Sequence, residues 1–578
     1  MTIDLITLLP FSVSVLISFF NRKAGYVAAL VASITFLFLS IYNYNGILSM
    51  FAIVSSLVWA LTSIFSIDYD NYGKWLSPLF SLTILGMVLV LISQNYLQFL
   101  AGWEIMTIPA YVAIGLTSKE YRPAFIFMAF GEFSTILILF AFLISGTLSF
   151  TTELTPLPLI LATIGFMIKM GIMPFLVTEW LPIAHGTAPS NLSSILSSTM
   201  TLMGVYGILK LALLAFNIPI LFSLIILISG AFSVFFGALY GYVNENIKGI
   251  LAFSTIENNG AILVGLGVYM LTKQLNIQFI ENISLITVVL YAFAHSIAKT
   301  GLFLSSGFQE NQSISQAKKI RAIEIGLVLL ASSMSGLLPN LGGIASWLLL
   351  EDLFMLSYLL HSIISIALIT VGFTIAMGEG FATALLVKYT TYTSVLKRTQ
   401  LKTKKTMEIP ILASGIIVFT LGFILPYLLY PYRTSVSSYG ILLRSVIITE
   451  ANSNTFGGIS PLYIIVLISI FSLITYIAFG KPKIRRTKVW NNGADHQDEY
   501  TAFGMANNIR LMLRKILKPS EKFIPYYGLD IFWEYMYKFA NYIRRFGKIF
   551  AASFINSSIT WYIIYIVITL IVLVSIIT

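Results

Sequence analysis

Apolar residues fill most of the chain in runs of about 20, the length that a helix needs to cross a bilayer. The alternating segments of about 10 residues that are typical of membrane β-barrels do not recur. The pattern therefore predicts an all-α polytopic membrane protein with about 15–17 transmembrane helices. We place the spans near residues 4–20, 24–43, 46–66, 77–95, 96–117, 121–145, 157–177, 190–213, 219–243, 247–271, 283–308, 322–342, 344–361, 362–391, 409–430, 460–480 and 556–577.

Composition supports this fold class, because 57% of the residues are hydrophobic and only 10% are charged, with a mean hydropathy of +0.88. The first run, Leu5 to Phe20, opens with Asp4 and lacks a small-residue cleavage site, so we predict a retained span in the cell membrane. The sequence has no cysteine and four scattered histidines, which excludes disulfides and argues against a haem or metal centre. We therefore expect no cofactor, no metal and no redox site of its own.

Basic residues outnumber acidic ones by 35 to 24 and collect in short loops rather than in a nucleic-acid-binding patch. The main clusters are Lys318–Arg321, Lys397–Lys405 and Lys481–Lys488. By the positive-inside rule, these loops are predicted to lie on the cytoplasmic side of the membrane.

Residues 481–555 differ from the rest, since they are rich in Lys, Arg, Asn and Tyr. Within them, Ile509–Leu517 and Ile531–Phe550 repeat apolar residues at helical spacing between charges. This pattern predicts a basic amphipathic helix that lies along the membrane face, with Ile559 to Ile577 as a terminal anchor span. An ordinary cytoplasmic linker is the alternative.

Lys169 lies in the middle of the apolar run Leu157 to Val177, and Pro174 is predicted to break the helix five residues later. Placing a lone ammonium at mid-bilayer costs roughly 2.5–3.5 kcal/mol, so such a residue normally has a partner, a water-filled cavity or a transport role. Glu104 is a second case, within an earlier span.

Ionisable residues inside predicted spans are few, and each is a functional hypothesis. They are Glu104, Glu132, Lys169, Lys210, Glu257, His295, Lys299, Glu351, Asp352, Glu379 and Lys388. His295 and Lys299 are four residues apart and share one helix face. Burial disfavours the charged form of Lys and a nearby carboxylate restores it, so this pair is suited to a proton relay.

Structural roles remain open for several of these residues. Glu104 and Lys169 form a structural ion pair in one interpretation, and Lys248 is a snorkelling anchor in another. Lys210 and Lys388 lie near helix ends, so an anchoring role is an alternative for them too. Glu257 binds a helix of a neighbouring subunit in a third interpretation, and His185 caps a broken helix in a fourth.

Short motifs between about residues 80 and 350 carry a family resemblance. They are Gly102-Trp103-Glu104, Lys169 with Met173-Pro174-Phe175, Glu179 to His185, Ala188-Pro189-Ser190, Asn246 to Asn258, His295 to Lys299, Gly301 to Leu304 and Ser335 to Asn340. In these motifs the chain resembles the antiporter-like membrane subunits of respiratory complex I and Mrp antiporters. Ser254 to Asn258, the Lys388 helix, Trp490 to Gly493 and Tyr500 to Phe503 resemble most closely the branch in membrane-bound nickel–iron hydrogenase and formate hydrogenlyase complexes.

The resemblance implies two inverted five-helix repeats, each with one discontinuous helix, and a water-linked chain of protonatable residues. It implies a pair of Glu104 with Lys169 in the first half and a central relay of Lys299 with His295. The predicted organisation is N-terminal helices in 1–76, the antiporter-like core in 77–391, further helices in 392–480, the amphipathic segment in 481–555 and the anchor in 556–578.

Three positions on two helices depart from this family pattern. Leu196 and Leu202 occupy a helix where relatives often have a His or Lys that bridges the two halves. Ser346 stands where the second broken helix usually carries an acid or a Lys. The exit residue is therefore open between Glu351 with Asp352 and Glu379 with Lys388, or the pathway is incomplete.

Three functions fit the sequence. The first is a proton- or sodium-translocating subunit of a redox-driven complex, with other membrane subunits, a hydrophilic redox module and lipids as partners. The second is a subunit of a multisubunit cation/proton antiporter, against which the C-terminal amphipathic segment argues. The third is a non-conducting scaffold, which Leu196, Leu202 and Ser346 suggest.

Overall fold

The structure is a computed structural model. It describes residues 2–69, 72–118, 121–146, 149–150, 153–173, 180–309, 313–395, 403–428, 437–439, 446–451, 454–480, 502–515, 517–518 and 529–554. The chain divides into two compact units, Met1–Asn507 and Asn508–Thr578.

Ten helices form the first part of the larger unit. They are α1 (Thr2–Phe20), α2 (Arg22–Tyr42), α3 (Gly46–Ser66), α4 (Leu76–Ile92), α5 (Tyr96–Thr117), α6 (Tyr121–Ile144), α7 (Pro156–Met170), α8 (Trp180–Thr187), α9 (Ser190–Ile195) and α10 (Thr201–Leu214). A π-helical turn, Leu196–Met200, joins α9 to α10, so the two make one continuous helix.

Within the described residues, eight further helices lie in the second part of the larger unit, and a ninth, α19, crosses its boundary with the smaller unit. They are α11 (Ile220–Val243), α12 (Ile247–Gln274), α13 (Gln278–Ser306), α14 (Glu324–Met334), α15 (Leu341–Leu360), α16 (Ile363–Thr390), α17 (Lys405–Leu428), α18 (Pro461–Phe479) and α19 (Ala502–Met512). Short 3-10 turns lie at Ile314–Gln316 and Arg321–Ile323, and a π turn, Thr391–Val395, extends α16.

The predicted fold class, an all-α polytopic membrane protein, is confirmed. Within the described residues, 12 helices are long and apolar enough to cross a membrane, and three shorter apolar helices accompany them. The predicted last span, 556–577, lies outside the described residues. The two inverted repeats and the predicted domain boundaries stay predictions.

The first interrupted helix ends earlier than the sequence predicted. Gly171 adopts a left-handed conformation with φ of 74°, and its N–H donates to the carbonyl of Ile168 at 3.1 Å. The N–H of Ile172 donates to Met167 at 3.1 Å, which completes a glycine cap of α7. The helix therefore ends at Met170, one residue after Lys169 and ahead of Pro174, which lies outside the described residues.

A second interruption separates α14 from α15. The chain leaves the helix after Met334, where Gly336 has a positive φ of 63°, and helix resumes at Leu341. The predicted spans 322–342 and 344–361 place this boundary several residues too late, inside what is helix α15. As a result, Ser346 lies in the second turn of α15 beside the break.

A small antiparallel sheet between α17 and α18 was not predicted. Its strands are β1 (Ser437–Tyr439), β2 (Val446–Ala451) and β3 (Asn454–Ile459), in the order β1-β2-β3. The register shifts between Thr449 and Glu450. The sheet follows the end of α17 and precedes α18, in a stretch where the sequence predicts only a connection between spans.

Basic loops gather at one end of the helices. The Asp68 carboxylate, just after α3, accepts hydrogen bonds from Lys23 at 3.3 Å, from Lys404 at 3.1 Å and from Thr406 at 2.7 Å. These bonds, that from Thr406 first, lower the pKa of Asp68 to about 2. At the same end, Phe308 after α13 contacts Phe65 of α3 at 5.8 Å between ring centroids. The loop that carries 318–321 and the start of α17 therefore share this end.

Helix α12 lies at the centre of the larger unit, with every side chain from Ile247 to Thr272 buried. It packs closely against α11, because Gly230 and Gly260 face each other: a Cβ added to Gly260 would lie 2.6 Å from the Gly230 carbonyl oxygen. Small residues allow such close approach of membrane helices. The polar side chains of α12 are therefore held inside the protein.

The smaller unit contains a two-stranded sheet, β4 (Leu517–Lys518) and β5 (Leu529–Asp530), and helix α20 (Ile531–Phe554). Helix α20 begins at the residue where the amphipathic helix was predicted to begin. It exposes apolar residues at helical spacing, namely Phe539, Tyr542, Ile543, Phe546 and Ile549. That it lies along a membrane stays a prediction.

Candidate functional site

Lys169 occupies the last turn of α7 with only 2% of its surface exposed. Its ammonium donates a hydrogen bond to the Thr107 hydroxyl of α5 at 2.7 Å. The rings of Trp103 and Phe127 lie 5.6 and 5.2 Å from the nitrogen, measured to their centroids. The ammonium is thus enclosed by α5, α6 and α7 and bound to a neutral hydroxyl.

The break after Lys169 is fixed by polar side chains of the neighbouring helices. The Asn259 amide of α12 donates to the Met170 carbonyl at 2.8 Å. The N–H of Met173 donates to the Ser233 hydroxyl of α11 at 2.8 Å. These bonds satisfy backbone groups that the end of a helix leaves without partners. The position of Lys169 at the break is therefore defined by side chains from two other helices.

Two carboxyl groups interact electrostatically with the Lys169 ammonium, those of Glu104 and Glu132. The Thr135 hydroxyl donates to Glu104 at 2.6 Å, and the side chains of Glu132 and Glu104 hydrogen-bond to each other. Glu132, for which the sequence named no partner, therefore joins this first cluster. Its relation to Glu104 escaped detection because the two residues come from different helices, α6 and α5.

The second cluster centres on Lys299 of α13, which is fully buried. Its ammonium donates to the Leu251 carbonyl at 3.1 Å and to the Ser254 hydroxyl, both on α12. His295, one turn earlier on the same face, places Nε2 3.2 Å from the Ser197 carbonyl oxygen. The shared face that the spacing predicted is thus present, although the two side chains bind different helices.

Neither Lys169 nor Lys299 forms an ion pair with a residue that the structure describes. Within the part of the chain that the structure describes, the ion pairs are Lys23 with Asp68, Lys404 with Asp68 and Lys319 with Glu324. Glu104 therefore interacts with Lys169 electrostatically, without a direct bond, and the Lys169 ammonium makes its hydrogen bond to Thr107. The structural ion pair that the sequence left open does not form.

Glu257 of α12 connects the Lys299 cluster to a second acid. It is 1% exposed, accepts a hydrogen bond from the Asn258 amide, and interacts electrostatically with both Lys299 and Glu379. Because its side chain lies inside this chain, the alternative role in binding a neighbouring subunit's helix does not fit its position.

Glu379, presented by α16, lies at the break between α14 and α15. Its Oε1 accepts hydrogen bonds from the Ser346 hydroxyl at 2.9 Å and from the Tyr291 hydroxyl at 3.2 Å. A Cβ added to Gly336 would lie 2.9 Å from Oε2 of the same carboxyl group. A carboxylate from the adjacent helix therefore reaches the position of Ser346, where the family pattern has a charged residue. Tyr291 was missed by the sequence analysis.

Asp352 and Glu351 are adjacent in the sequence, but their side chains contact different elements. The Asp352 carboxylate, fully buried, accepts a hydrogen bond from the Thr287 hydroxyl at 2.8 Å. Glu351 is half-buried and lies against Gly457 of β3. Thr287 and Tyr291 are four residues apart on α13, so Asp352 and Glu379 both contact the same face of that helix.

The other lysines near the spans bind backbone carbonyls at the C-terminal ends of helices, where such groups lack partners. The pairs are Lys210 with Ser93 at 2.8 Å, Lys248 with Ala188 at 2.6 Å, Lys273 with Ala212 at 2.8 Å and Lys388 with Asn244 at 2.5 Å. Lys248 is 7% exposed, so it is buried rather than snorkelling. The structure does not bring Lys388 to either cluster.

His185 lies near the second cluster. Its ring is 5.3 Å from that of Phe303 and 6.4 Å from that of Trp180, and it interacts electrostatically with Lys299 and Lys248. The Ser193 hydroxyl donates to its carbonyl at 3.1 Å. Among the described residues, no group of three or more His, Asp or Glu side chains is arranged to hold a metal ion.

The sequence that carries these clusters is similar to those of known proteins. Residues 93–374, which include both clusters apart from Glu379, match the family described as NADH:quinone oxidoreductase/Mrp antiporter, transmembrane. This part of the chain belongs to that family. The antiporter-like resemblance inferred from the sequence motifs is thereby confirmed.

Two curated relatives of this antiporter-like chain come from Escherichia coli K12. Hydrogenase-4 component B is 27% identical over 343 residues, which are 54% of this chain and 51% of the relative. Formate hydrogenlyase subunit 3 is 28% identical over 345 residues, or 55% of this chain and 56% of the relative. The chain thus spans about half the length of these relatives, and both carry names from the branch that the motifs indicated.

Solved structures share the fold. A chain of the membrane-bound sulfane sulfur reductase, an archaeal respiratory membrane complex, superposes with a TM-score of 0.71 at 17% identity, over 99% of both chains. A chain of the Mrp complex from Dietzia sp. DQ12-45-1b gives a TM-score of 0.62 at 15% identity, over 74% of this chain and 96% of that one. At these identities the likeness concerns the fold alone.

Proposed function

We propose that this chain is the proton-translocating membrane subunit of a multisubunit redox-driven complex, with sodium as the alternative cargo. The observation that carries the proposal is the contrast between two kinds of lysine among the described helices. Lys169 binds the Thr107 hydroxyl, and Lys299 binds the Ser254 hydroxyl and the Leu251 carbonyl within α12, whereas Lys210, Lys248, Lys273 and Lys388 bind carbonyls at helix ends. Lys169 lies at a helix break beside Glu104 and Glu132, and Lys299 lies beside Glu257. Lys273 also interacts with an acid, Glu281, but it is half-buried and lies in the last turn of its helix.

A lysine bound to a neutral hydroxyl is suited to changing its protonation state. Burial favours the neutral amine, and a nearby carboxylate favours the ammonium, so a small movement of the carboxylate changes which form prevails. Lys169 has Glu104 and Glu132 in this role, and Lys299 has Glu257. A fixed ion pair would hold the proton in place and oppose such a change.

We assign the exit of the second half to Glu379. Its carboxylate occupies the site beside Ser346 at the helix break and interacts electrostatically with Glu257. The order Lys299, Glu257, Glu379 therefore gives successive protonatable groups from α13 through α12 to α16. Asp352, which Thr287 binds on the same face of α13, is the competing exit.

The partners and the membrane follow from this proposal. Electron transfer belongs to a hydrophilic module of another subunit, since the chain has no cysteine for a cluster. The names of the relatives, a hydrogenase component and a formate hydrogenlyase subunit, support a complex of this kind. The end that carries Lys23, Lys319 and Lys404 faces the cytoplasm of a cytoplasmic membrane, by the positive-inside rule.

The decisive test is ion uptake by vesicles that contain the purified complex, after equal subunit content has been confirmed. A pH-sensitive dye reports protons and radioactive sodium reports Na⁺ during electron transfer. We expect Lys169→Met and Glu104→Gln to abolish uptake while Lys210→Met, which removes a helix-end lysine, retains it. Uptake by Lys169→Met equal to that of wild type would refute the proposal and support the scaffold function.

A cation/proton antiporter subunit is the second function, and the fold shared with a chain of the Mrp complex favours it. An antiporter exchanges sodium for protons when a pH gradient is imposed, without an electron donor. The proposed redox-driven subunit translocates only while electrons flow. The same vesicles, assayed with and without donor, therefore separate the two.

A further inference from the structure

Helix α12 contacts both lysine clusters through uncharged side chains. Near the first cluster, the Asn259 amide donates to the carbonyl of Met170 at 2.8 Å, one residue after Lys169. Near the second cluster, the Thr255 hydroxyl donates to the Leu251 carbonyl at 3.0 Å, the same oxygen that accepts from Lys299 at 3.1 Å. One helix therefore carries polar groups from the break in α7 to the Lys299 ammonium.

Ser197 joins this polar face from the neighbouring helix. Its hydroxyl lies 2.7 Å from that of Thr255, and its carbonyl oxygen lies 3.2 Å from Nε2 of His295. Ser197 belongs to the π turn Leu196–Met200, in which the N–H of Thr201 bonds to the Leu196 carbonyl. Single π turns occur frequently at functional sites. This one allows Ser197 to contact α12 and α13 at once.

Asn259 and Thr255 are four residues apart and so share one face of α12. The polar groups from Leu251 to Asn259 extend over eight residues, or about 12 Å along the helix axis. Asn259 is fully buried, and its Oδ1 has no hydrogen-bond partner among the residues that the structure describes. Buried polar atoms of this kind normally bind an ordered water molecule.

We propose that Thr255 and Ser197 form an uncharged proton relay that connects the Lys169 cluster with Lys299, with Asn259 as a positioning residue that holds a water molecule. This relay takes the place of an ionisable bridge on the helix that carries Leu196 and Leu202. In each step a hydroxyl oxygen accepts one proton and releases its own hydrogen to the next acceptor, which is the other hydroxyl or a water molecule that leads to Lys299. To do so, the Thr255 hydroxyl rotates away from the Leu251 carbonyl. One proton thus advances, and neither residue is changed.

The inference rests on the proposed function and deepens it, because it commits the cargo to protons. A hydroxyl group passes a proton by exchanging its hydrogen, whereas it passes a sodium ion only by coordinating it. The hydroxyl pair Ser197 and Thr255, 2.7 Å apart, has the separation of a direct hydrogen bond. The same pair would leave no space for an ion between the two oxygens.

The test uses the complete complex in vesicles and compares four variants. Thr255→Val keeps the shape of the side chain and removes its hydroxyl, while Thr255→Ser restores the hydroxyl. Ser197→Ala removes the second hydroxyl. The matched control is Thr272→Val, since Thr272 is a buried threonine of the same helix whose hydroxyl donates to the Val268 and Tyr269 carbonyls of that helix.

We expect Thr255→Val and Ser197→Ala to slow dye-detected proton uptake by about tenfold or more, as for loss of a positioned proton-transfer group. Thr255→Ser and Thr272→Val should remain close to the wild type. Loss of uptake in Thr255→Ser as well as in Thr255→Val would indicate a packing role and overturn the relay. Wild-type uptake in Thr255→Val and Ser197→Ala would also overturn it.

The two proposals fail in distinguishable ways. If Lys169→Met and Lys299→Met abolish uptake while the hydroxyl variants retain it, only the relay is wrong. If the lysine variants retain uptake, the proposed function itself is wrong and the relay is overturned with it.

Discussion

The Lys169 ammonium binds the Thr107 hydroxyl at 2.7 Å, and the two residues are 62 positions apart in the sequence. This bond replaces the direct ion pair with Glu104 that the sequence left open. It gives a membrane-buried lysine an acceptor that does not fix its charge. Several expected results follow from this relationship and from the geometry around it.

Thr107→Val should impair ion uptake without preventing assembly. The change preserves the shape of the side chain and removes the acceptor of the Lys169 bond, and a hydrogen bond to a charged group contributes about 1.5–3 kcal/mol. We expect uptake by vesicles to fall by about tenfold to a hundredfold, since 1.36 kcal/mol corresponds to a factor of ten in rate. Thr107→Ser is the control and should retain uptake. Equal rates in wild type and Thr107→Val would show that Thr107 has no part in transport.

Lys248→Met should affect stability more than transport. The Lys248 ammonium donates to the Ala188 carbonyl at 2.6 Å, just after α8 ends. Its loss leaves a carbonyl without that partner and should cost about 1–3 kcal/mol. We expect a lower melting temperature of the purified complex and uptake within about twofold of wild type once protein content is matched. Uptake losses as large in Lys248→Met as in Lys169→Met would contradict the distinction between the two kinds of lysine.

The sequence predicted those features that depend on local spacing. The four-residue separation placed His295 and Lys299 on one face, and Lys169 with Pro174 in one apolar run predicted an interrupted helix. The break itself follows from Gly171, which caps α7 in a left-handed conformation. Glycine commonly ends helices in this way, so Gly171 was the residue in the sequence that marks the end of α7. The prediction that Pro174 ends the helix placed the break several residues too late, since α7 ends at Met170.

The sequence could not predict which side chains from distant helices contact each site residue. Glu132 beside Glu104, and Tyr291 beside Glu379, depend on how α5, α6, α13 and α16 pack, and no periodicity within one helix specifies that. The sheet β1-β2-β3 was missed for a similar reason, because short strands acquire their identity from pairing with one another. The site residues remain predictions that the variants described here will test.

Asp68→Asn should weaken the connection between α3 and the start of α17. Asp68 accepts bonds from Lys404 and Thr406, which lie 336 and 338 residues later. Because both lysines that bind Asp68, Lys23 and Lys404, are exposed, we expect a loss of about 1 kcal/mol or less. Thermal unfolding of the purified complex measures it, with Lys74→Met as a control for the loss of one charge at a lysine near the same end.

The pH dependence of this contact has a definite sign. The folded-state pKa of Asp68, about 2, lies below its ordinary value of 3.8, so the carboxylate contributes stability above pH 3.8 and loses it as the pH falls through about 2. The difference in melting temperature between wild type and Asp68→Asn should therefore be constant from about pH 5 to pH 8. A difference that disappears within that range would mean that Asp68 titrates there.

Glu379→Gln should abolish proton uptake if the exit of the second half lies at the break between α14 and α15. Gln keeps the hydrogen bonds from Ser346 and Tyr291 within reach but no longer accepts a proton, so assembly should be retained. Tyr291→Phe removes one of the two donors to the carboxylate and should slow uptake several-fold, by about 1 kcal/mol of lost hydrogen bonding. Asp352→Asn tests the competing exit in the same assay. Uptake that survives Glu379→Gln and disappears in Asp352→Asn would move the exit from α16 to α15, with Thr287 rather than Tyr291 as its partner on α13.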